Sequence, residues 1–261
     1  MFRLILKYLL HFCRSGHRKG RGIQSPALYA LVGEALFNGK KFPFPERVDN
    51  AHRSIMKDPT LLATGGYGAG SQISGKAVRS AASLARWSSV SGKTGRLLYR
   101  LAAWFCPSLV LEFGTGLGIS TSYLATGAVD ARVISVEANR EKANYARAWI
   151  HSMGLVNVEI VQGLFEESLK HIPDFNDDRV IIFLDGNHLY KPTISCLNQF
   201  LKLESKEIMI ILDDIHWSKE MEQAWKEGRE MERVDGSLDL FFVGILLVKP
   251  GMSREHIAVS W

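Results

Sequence analysis

From residue 108 onward, apolar runs of strand length alternate with amphipathic stretches of helix length. The runs span residues 109–113, 132–136, 158–161, 180–184 and 208–212, and the stretches between them span 119–126, 140–153, 165–170 and 193–203. Runs that stay apolar throughout suit strands covered on both faces. Such strand–helix repeats predict a parallel sheet with right-handed crossovers. A further helix is expected over 218–230. The pattern then changes to adjacent strands at 237–242 and 244–249, read as an antiparallel hairpin at the sheet edge, and a final extended piece at 256–259.

The chain before residue 108 reads differently. Residues 1–13 are apolar but interrupted by Arg3, Lys7 and His11. No apolar run reaches the roughly 18 residues a membrane span needs. A basic run follows, with no small-x-small site, so a secretory signal fits poorly. On a helical wheel Phe2, Ile5, Leu6, Leu9 and Phe12 share one face, and Arg3, Lys7, His11, Arg14 and Arg18 another. A basic amphipathic helix of this kind can place residues 1–19 on an anionic membrane surface. The favoured expectation is simpler: its apolar face packs on the domain and its basic face meets water. Ser25 and Pro26 form a helix start, N-cap and N1, for a helix over 27–37 that Asn38 and Gly39 end. Pro43, Pro45 and Pro59 bracket a short amphipathic piece. Residues 64–75 hold five Gly in twelve, either a backbone cradle and lid or a connector. Helices at 76–88 and 93–105 follow. The expected division is an N-terminal helical extension over 1–95, which selects substrate, and a ligand-binding domain over 96–261.

Composition narrows the classes. A chain that is 46% hydrophobic and 23% charged is not disordered throughout. Three cysteines, Cys13, Cys106 and Cys196, are too few for a disulfide framework or a Cys-rich zinc site, and the default compartment is a reducing cytoplasm. The net charge of +5 is uneven. Residues 1–60 carry 11 Lys or Arg against 4 Asp or Glu, and the remaining 201 carry 21 against 23. That slightly acidic body argues against a nucleic-acid partner.

Ligands of parallel sheets bind at the carboxyl ends of the strands. Those ends read Glu112 with Gly114-Thr115-Gly116-Leu117-Gly118, then Glu137-Ala138, Gln162-Gly163, Asp185-Gly186-Asn187-His188 and Asp213-Asp214-Ile215-His216-Trp217. The glycines let a ligand approach the backbone, but the triplet alone fits dinucleotide folds as well. Glu112 would repel a pyrophosphate and accept from an ammonium group, which favours a zwitterionic ligand. Glu137, 21 residues beyond Gly116, suits ribose hydroxyls. Asp185, Asp213 and Asp214 converging at one edge would repel each other unless a cation sits between them. Oxygen ligands suit Mg²⁺, Mn²⁺ or Ca²⁺; the imidazoles, as ligands, would admit Fe²⁺ or Zn²⁺. Such a metal would acidify a bound hydroxyl, and His188 or His216 could take its proton. Plainer roles stay open: Asp185 orienting a ligand without metal, Asp213 capping a helix, His216 packing beside Trp217, and Trp217, Trp225 and Tyr190 as core or pocket wall.

Residues 109–249 resemble a class I S-adenosylmethionine-dependent methyltransferase. The resemblance rests on LVLEFGTGLG with Glu137 downstream, FLDGNH, LDDIHW and the closing LDLFFVGILLVK. More narrowly, they are similar to the metal-dependent O-methyltransferases of catechol and caffeoyl-coenzyme A type. The full-length pattern is similar to bacterial methyltransferase-like proteins with a basic N-terminal helix and a GAGS loop. The resemblance implies an α/β fold: a Rossmann-like, seven-stranded, mostly parallel sheet with an antiparallel C-terminal hairpin and an N-terminal helical extension. It implies a cytoplasmic enzyme that methylates a small-molecule hydroxyl. S-adenosylmethionine would be held by Glu112, Gly114, Thr115, Gly116, Gly118, Glu137, Ala138, Gln162, Gly163 and Asp185. Mg²⁺ would lie on Asp185, Asp213 and Asp214, the last standing where the family has Asn. His188 stands at the family's catalytic Lys, so Asp185, His188 and His216 are the catalytic candidates. Gly163 departs from the acid or small polar residue that many relatives place near adenine. The rivals are a nucleotide-dependent or dinucleotide-dependent enzyme on a related sheet, and a non-catalytic, membrane-associated cofactor-binding protein.

Overall fold

The computed structural model describes residues 2–16, 20–38, 40–43, 46–64, 78–88, 90–165, 179–186 and 188–261. Strands β3 (Leu109–Phe113), β4 (Arg132–Glu137), β5 (Val158–Gln162), β6 (Arg179–Leu184) and β7 (Glu207–Asp213) form the parallel body of one sheet. Helices α6 (Ile119–Gly127), α7 (Arg140–Ser152) and α8 (Tyr190–Phe200) lie between them, and α9 (Lys219–Glu230) follows β7. β8 (Gly236–Asp239), β9 (Val243–Val248) and β10 (Glu255–Ala258) complete an eight-stranded sheet of order β10-β8-β9-β7-β6-β3-β4-β5.

The expected seven strands are present, and β9 is the antiparallel one, paired with β7 on one side and β8 on the other. The hairpin is not the edge, however. The final extended piece pairs parallel with β8, Glu255 opposite Gly236, and becomes an eighth strand outside it. Both faces of the sheet are covered, as continuous apolar runs require. Val110, Val133, Ile181, Phe183, Met209 and Ile211 join one core, with the N-terminal helices, α6 and α7. Leu111, Phe113, Ile134, Ile182, Ile210 and Leu212 join the other, with Phe200 and Trp225 from α8 and α9.

The extension is α1 (Phe2–Arg14), α2 (Pro26–Ala30) with a π-helical continuation Leu31–Leu36, α3 (Glu46–Ile55), β1 (Leu61–Ala63), β2 (Val78–Ser80), α4 (Ala81–Ser88) and α5 (Gly92–Phe105). Residue 95 falls inside α5, whose start is capped by Ser91 accepting from the Thr94 amide at 3.1 Å. Residues 78–80, expected as helix, instead pair antiparallel with 61–63. The stabilising partner lies 15 or more residues away, which local periodicity does not register. α8 begins three residues earlier than expected, with Pro192 inside its first turn, where a missing N–H costs nothing. Residues 166–170 of the expected third interstrand helix, and 65–75 of the glycine-rich loop, lie outside the described residues.

α1 reverses its expected orientation. Lys7 pairs with Glu222 of α9, and His11 reaches Asp239 of β8 at 3.1 Å. Leu6, Leu9 and Phe12 face outward, each at least half exposed. The charged face docks because the body offers it acids. Among the described residues, no helix is long and apolar enough to cross a membrane.

Candidate active site at the strand ends

The strand order reverses between β3 and β6, and their carboxyl ends lie side by side with Phe113 opposite Leu184. Ligands of such sheets bind at this switch point. Gly114, just past β3, has φ +112°, and a Cβ there would lie 2.1 Å from the Asp185 carbonyl oxygen. Only glycine fits so close an approach in that conformation. The amides of Gly114 and Thr115 donate to the Val136 carbonyl at 3.0 and 3.2 Å, tying the loop to β4. Gly116 and Gly118 also have positive φ, +56° and +83°.

Glu112 is completely buried. Burial pushes its pKa up, and hydroxyl donors work against that rise. One oxygen accepts from Ser135 at 2.5 Å and from Thr121, while the other has no partner. A buried carboxylate oxygen without a donor is costly in isolation and suits a ligand that brings one. Glu137 is held differently. Oε2 accepts from the Gly116 amide and Oε1 from the Asn139 amide, both at 2.9 Å. Each oxygen keeps a lone pair, so the acid is oriented without being used up. Ala138 adjoins it, Gln162 faces it in register and is exposed, and the Gly163 amide donates to its carbonyl at 3.1 Å.

Across the junction lies the acidic group. Burial raises the Asp185 pKa well above the carboxylate range, and Asp213, Glu112 and Asp214 add repulsion. Asp213 is pushed up to about 7, by burial first and by Asp214 second. A hydrogen bond between the two raises the Asp185 pKa and lowers that of Asp213, the arrangement expected when two crowded acids share one proton. Asp214 is raised by burial, with His188 opposing. His188 places Nε2 3.7 Å from Asp185 Oδ1. Burial lowers its pKa, so the neutral imidazole prevails near pH 7. Asp214 and His188 both hold positive φ, +54° and +30°, in a region that side chains seldom occupy.

The structure separates the two histidine candidates. His216 turns away to Asp239, with Nε2 2.9 Å from Oδ2 and its ring centroid 5.0 Å from that of Phe241. Burial raises the Asp239 pKa, but hydrogen bonds from His11 and His216 outweigh it and hold the carboxyl far below its usual range. Trp225 is core as expected, whereas Trp217 is 59% exposed. The Tyr190 hydroxyl donates to Glu227 at 2.5 Å on the surface.

Asp185, Asp213 and Asp214 gather at one sheet edge, as their positions implied. Their oxygens have the chemistry a hard cation prefers. Yet among the described residues no group of three or more His, Cys, Asp or Glu is arranged to hold a metal ion. As placed, Asp185 and Asp213 hydrogen-bond each other.

Residues missed in the sequence do much of the positioning: Thr121 and Ser135 on Glu112, Asn139 on Glu137, Asp239 on His216. Ser135 carried a signal, since a hydroxyl inside an otherwise apolar buried strand needs a buried partner. A cavity of about 190 Å³ between Trp104, Phe105 and Val248 lies by the opening residues of β6 and β7, Arg179 and Glu207, away from this chemistry.

Residues 111–215 match the family described as a methyltransferase domain. None of the curated proteins matches the chain significantly. Among solved structures, cofactor-bound Rv0187 from MTB is 19% identical, covering 82% of this chain and 94% of its own, with TM-score 0.59. An O-methyltransferase from Bacillus cereus in complex with SAH is 21% identical, covering 80% and 92%, with TM-score 0.56. A methyltransferase from Geobacter sulfurreducens is 18% identical, covering 80% and 93%, with TM-score 0.54. At these identities the likeness is one of fold.

Proposed function

We propose that this chain is a class I S-adenosylmethionine-dependent methyltransferase that methylates a hydroxyl on a small molecule in a reducing cytoplasm, with His188 as the general base. One observation carries the reading: the glycine loop and the acid–imidazole group meet at Gly114 and Asp185, with no room for even a methyl group between them. The residues suited to the cofactor and those suited to its acceptor therefore share one edge.

S-adenosylmethionine supplies an electrophilic methyl group whose transfer to a hydroxyl oxygen leaves a thioether. The chain's own residues do the rest. Glu137, pinned by two amides, presents its remaining lone pairs to the ribose hydroxyls. The unpartnered oxygen of Glu112 suits the ammonium group of the methionine portion. Asp185 stands between the two halves and orients what lies on either side. Displacement at a methyl group is mainly a matter of alignment and of a nucleophile that has lost its proton. His188, neutral near pH 7, takes that proton as the carbon–oxygen bond forms. His216 is committed to Asp239, which favours His188. No step is assigned to a metal.

Isothermal titration with S-adenosylhomocysteine, with and without Mg²⁺, tests the cofactor half. Saturable binding is expected in both conditions, and no binding in either overturns the reading. Transfer of labelled methyl groups to a panel of phenols and alcohols tests the acceptor half. His188→Ala is expected to lower kcat by about 10²-fold or more while S-adenosylhomocysteine affinity holds. An equal loss in His216→Ala alone would move the base there.

A further inference from the structure

α1 presents its apolar side to solvent, the reverse of what water selects for a helix on a globular body. Lys7 and His11 face inward on Glu222 and Asp239, and the Ser15 hydroxyl donates to Ser260 at 2.8 Å. Tyr8 also faces the body, 5.1 Å from the Phe241 ring. Outward stand Leu6 at 50%, Leu9 at 54%, Leu10 at 44% and Phe12 at 55% exposure. Phe242, 47% exposed and 5.9 Å from Tyr8, extends this apolar ground onto the body. The body's acids hold the polar face, so the helix cannot turn over to bury its leucines without breaking those contacts.

Charge identifies what covers the leucines. No Asp or Glu occurs before Glu34, while Arg3, Lys7, Arg14, Arg18, Lys19 and Arg21 precede it. Two such segments brought face to face would repel each other. Lys7 is neutralised by Glu222, and the five other basic residues leave the segment a net positive charge that an anionic lipid surface attracts across a Debye length, while its acyl boundary accepts the leucines. We propose that α1 seats the protein on an anionic bilayer surface through Leu6, Leu9, Leu10 and Phe12, its inner face remaining docked on Glu222 and Asp239. The contact is peripheral and does not depend on the methyl-transfer reading.

The test is co-sedimentation of the full chain with vesicles of equal parts phosphatidylglycerol and phosphatidylcholine, against phosphatidylcholine alone. The chain is expected to pellet with the anionic vesicles and to be released as salt rises past the screening range. The double variant L6E/L9E should lower the bound fraction about tenfold or more, with an unchanged melting temperature because both side chains are exposed. Should that variant unfold, F12S replaces it, with a smaller loss expected. Failure of the native chain to pellet overturns the proposal, as does equal pelleting on the two vesicle types or by a folded variant. A stable dimer in gel filtration that L6E/L9E dissolves also overturns it, since the face then belongs to a second copy.

Discussion

The two halves of the strand-end site are built on opposite terms. On the β3–β4 side the polar groups are mostly partnered. Glu137 has two amides, the loop amides have Val136, and the strain of positive φ is placed on glycines that bear it freely. On the β6–β7 side acids crowd one another, and positive φ falls on His188 and Asp214. The first half is preorganised for a ligand of fixed shape. The second stores electrostatic and backbone strain, the usual mark of a place where chemistry is done. On the proposed reading, the half that holds the cofactor can be finished in advance, whereas the half that meets the acceptor must keep groups able to gain or lose a proton.

The largest expected effect strikes the junction. Gly114→Ala puts a Cβ against the Asp185 carbonyl and strains the backbone, at about 3 kcal/mol or more. Urea unfolding should show that loss, and a near-neutral result would mean the halves are not in contact. Next is the finished half. Glu137→Ala leaves the Gly116 and Asn139 amides without their acceptor and is expected to weaken S-adenosylhomocysteine about tenfold to a hundredfold. Unchanged affinity would show that Glu137 serves the loop only.

The effect most diagnostic of the strained half is a pH dependence. Asp213 holds its proton more tightly when folded, with a pKa of about 7 against 3.8 for an ordinary aspartate. Its contribution to stability is therefore complete below the unfolded value, falls as pH rises from about 4 to about 7, and is level above. Asp213→Asn removes that slope. The variant should melt close to the native chain at the acid end and several degrees above it past pH 7. Equal melting temperatures at both ends would show that the acids are relieved in the native protein.

Much of this was legible in the chain. Buried parallel strands must be apolar on both faces, so β3, β4, β6 and β7 stand out against amphipathic helices. Ligands gather at strand ends, so Glu112, Glu137, Asp185 and Asp213 could be read as one site. The β1–β2 pair was hidden because each strand is three residues long and its stabilising partner is remote. The commitment of His216 was hidden because Asp239 belongs to a strand two places away in the sheet.

α1 marks the boundary between the two kinds of knowledge. Its sequence alone determined that Leu6, Leu9 and Phe12 share a side and that Lys7 and His11 share another, because the helical period fixes angular positions. Which side would face the body was decided by Glu222 and Asp239, more than 200 residues along the chain. A helix carries its own pattern wherever it goes, but the surface that meets it exists only once the sheet has formed.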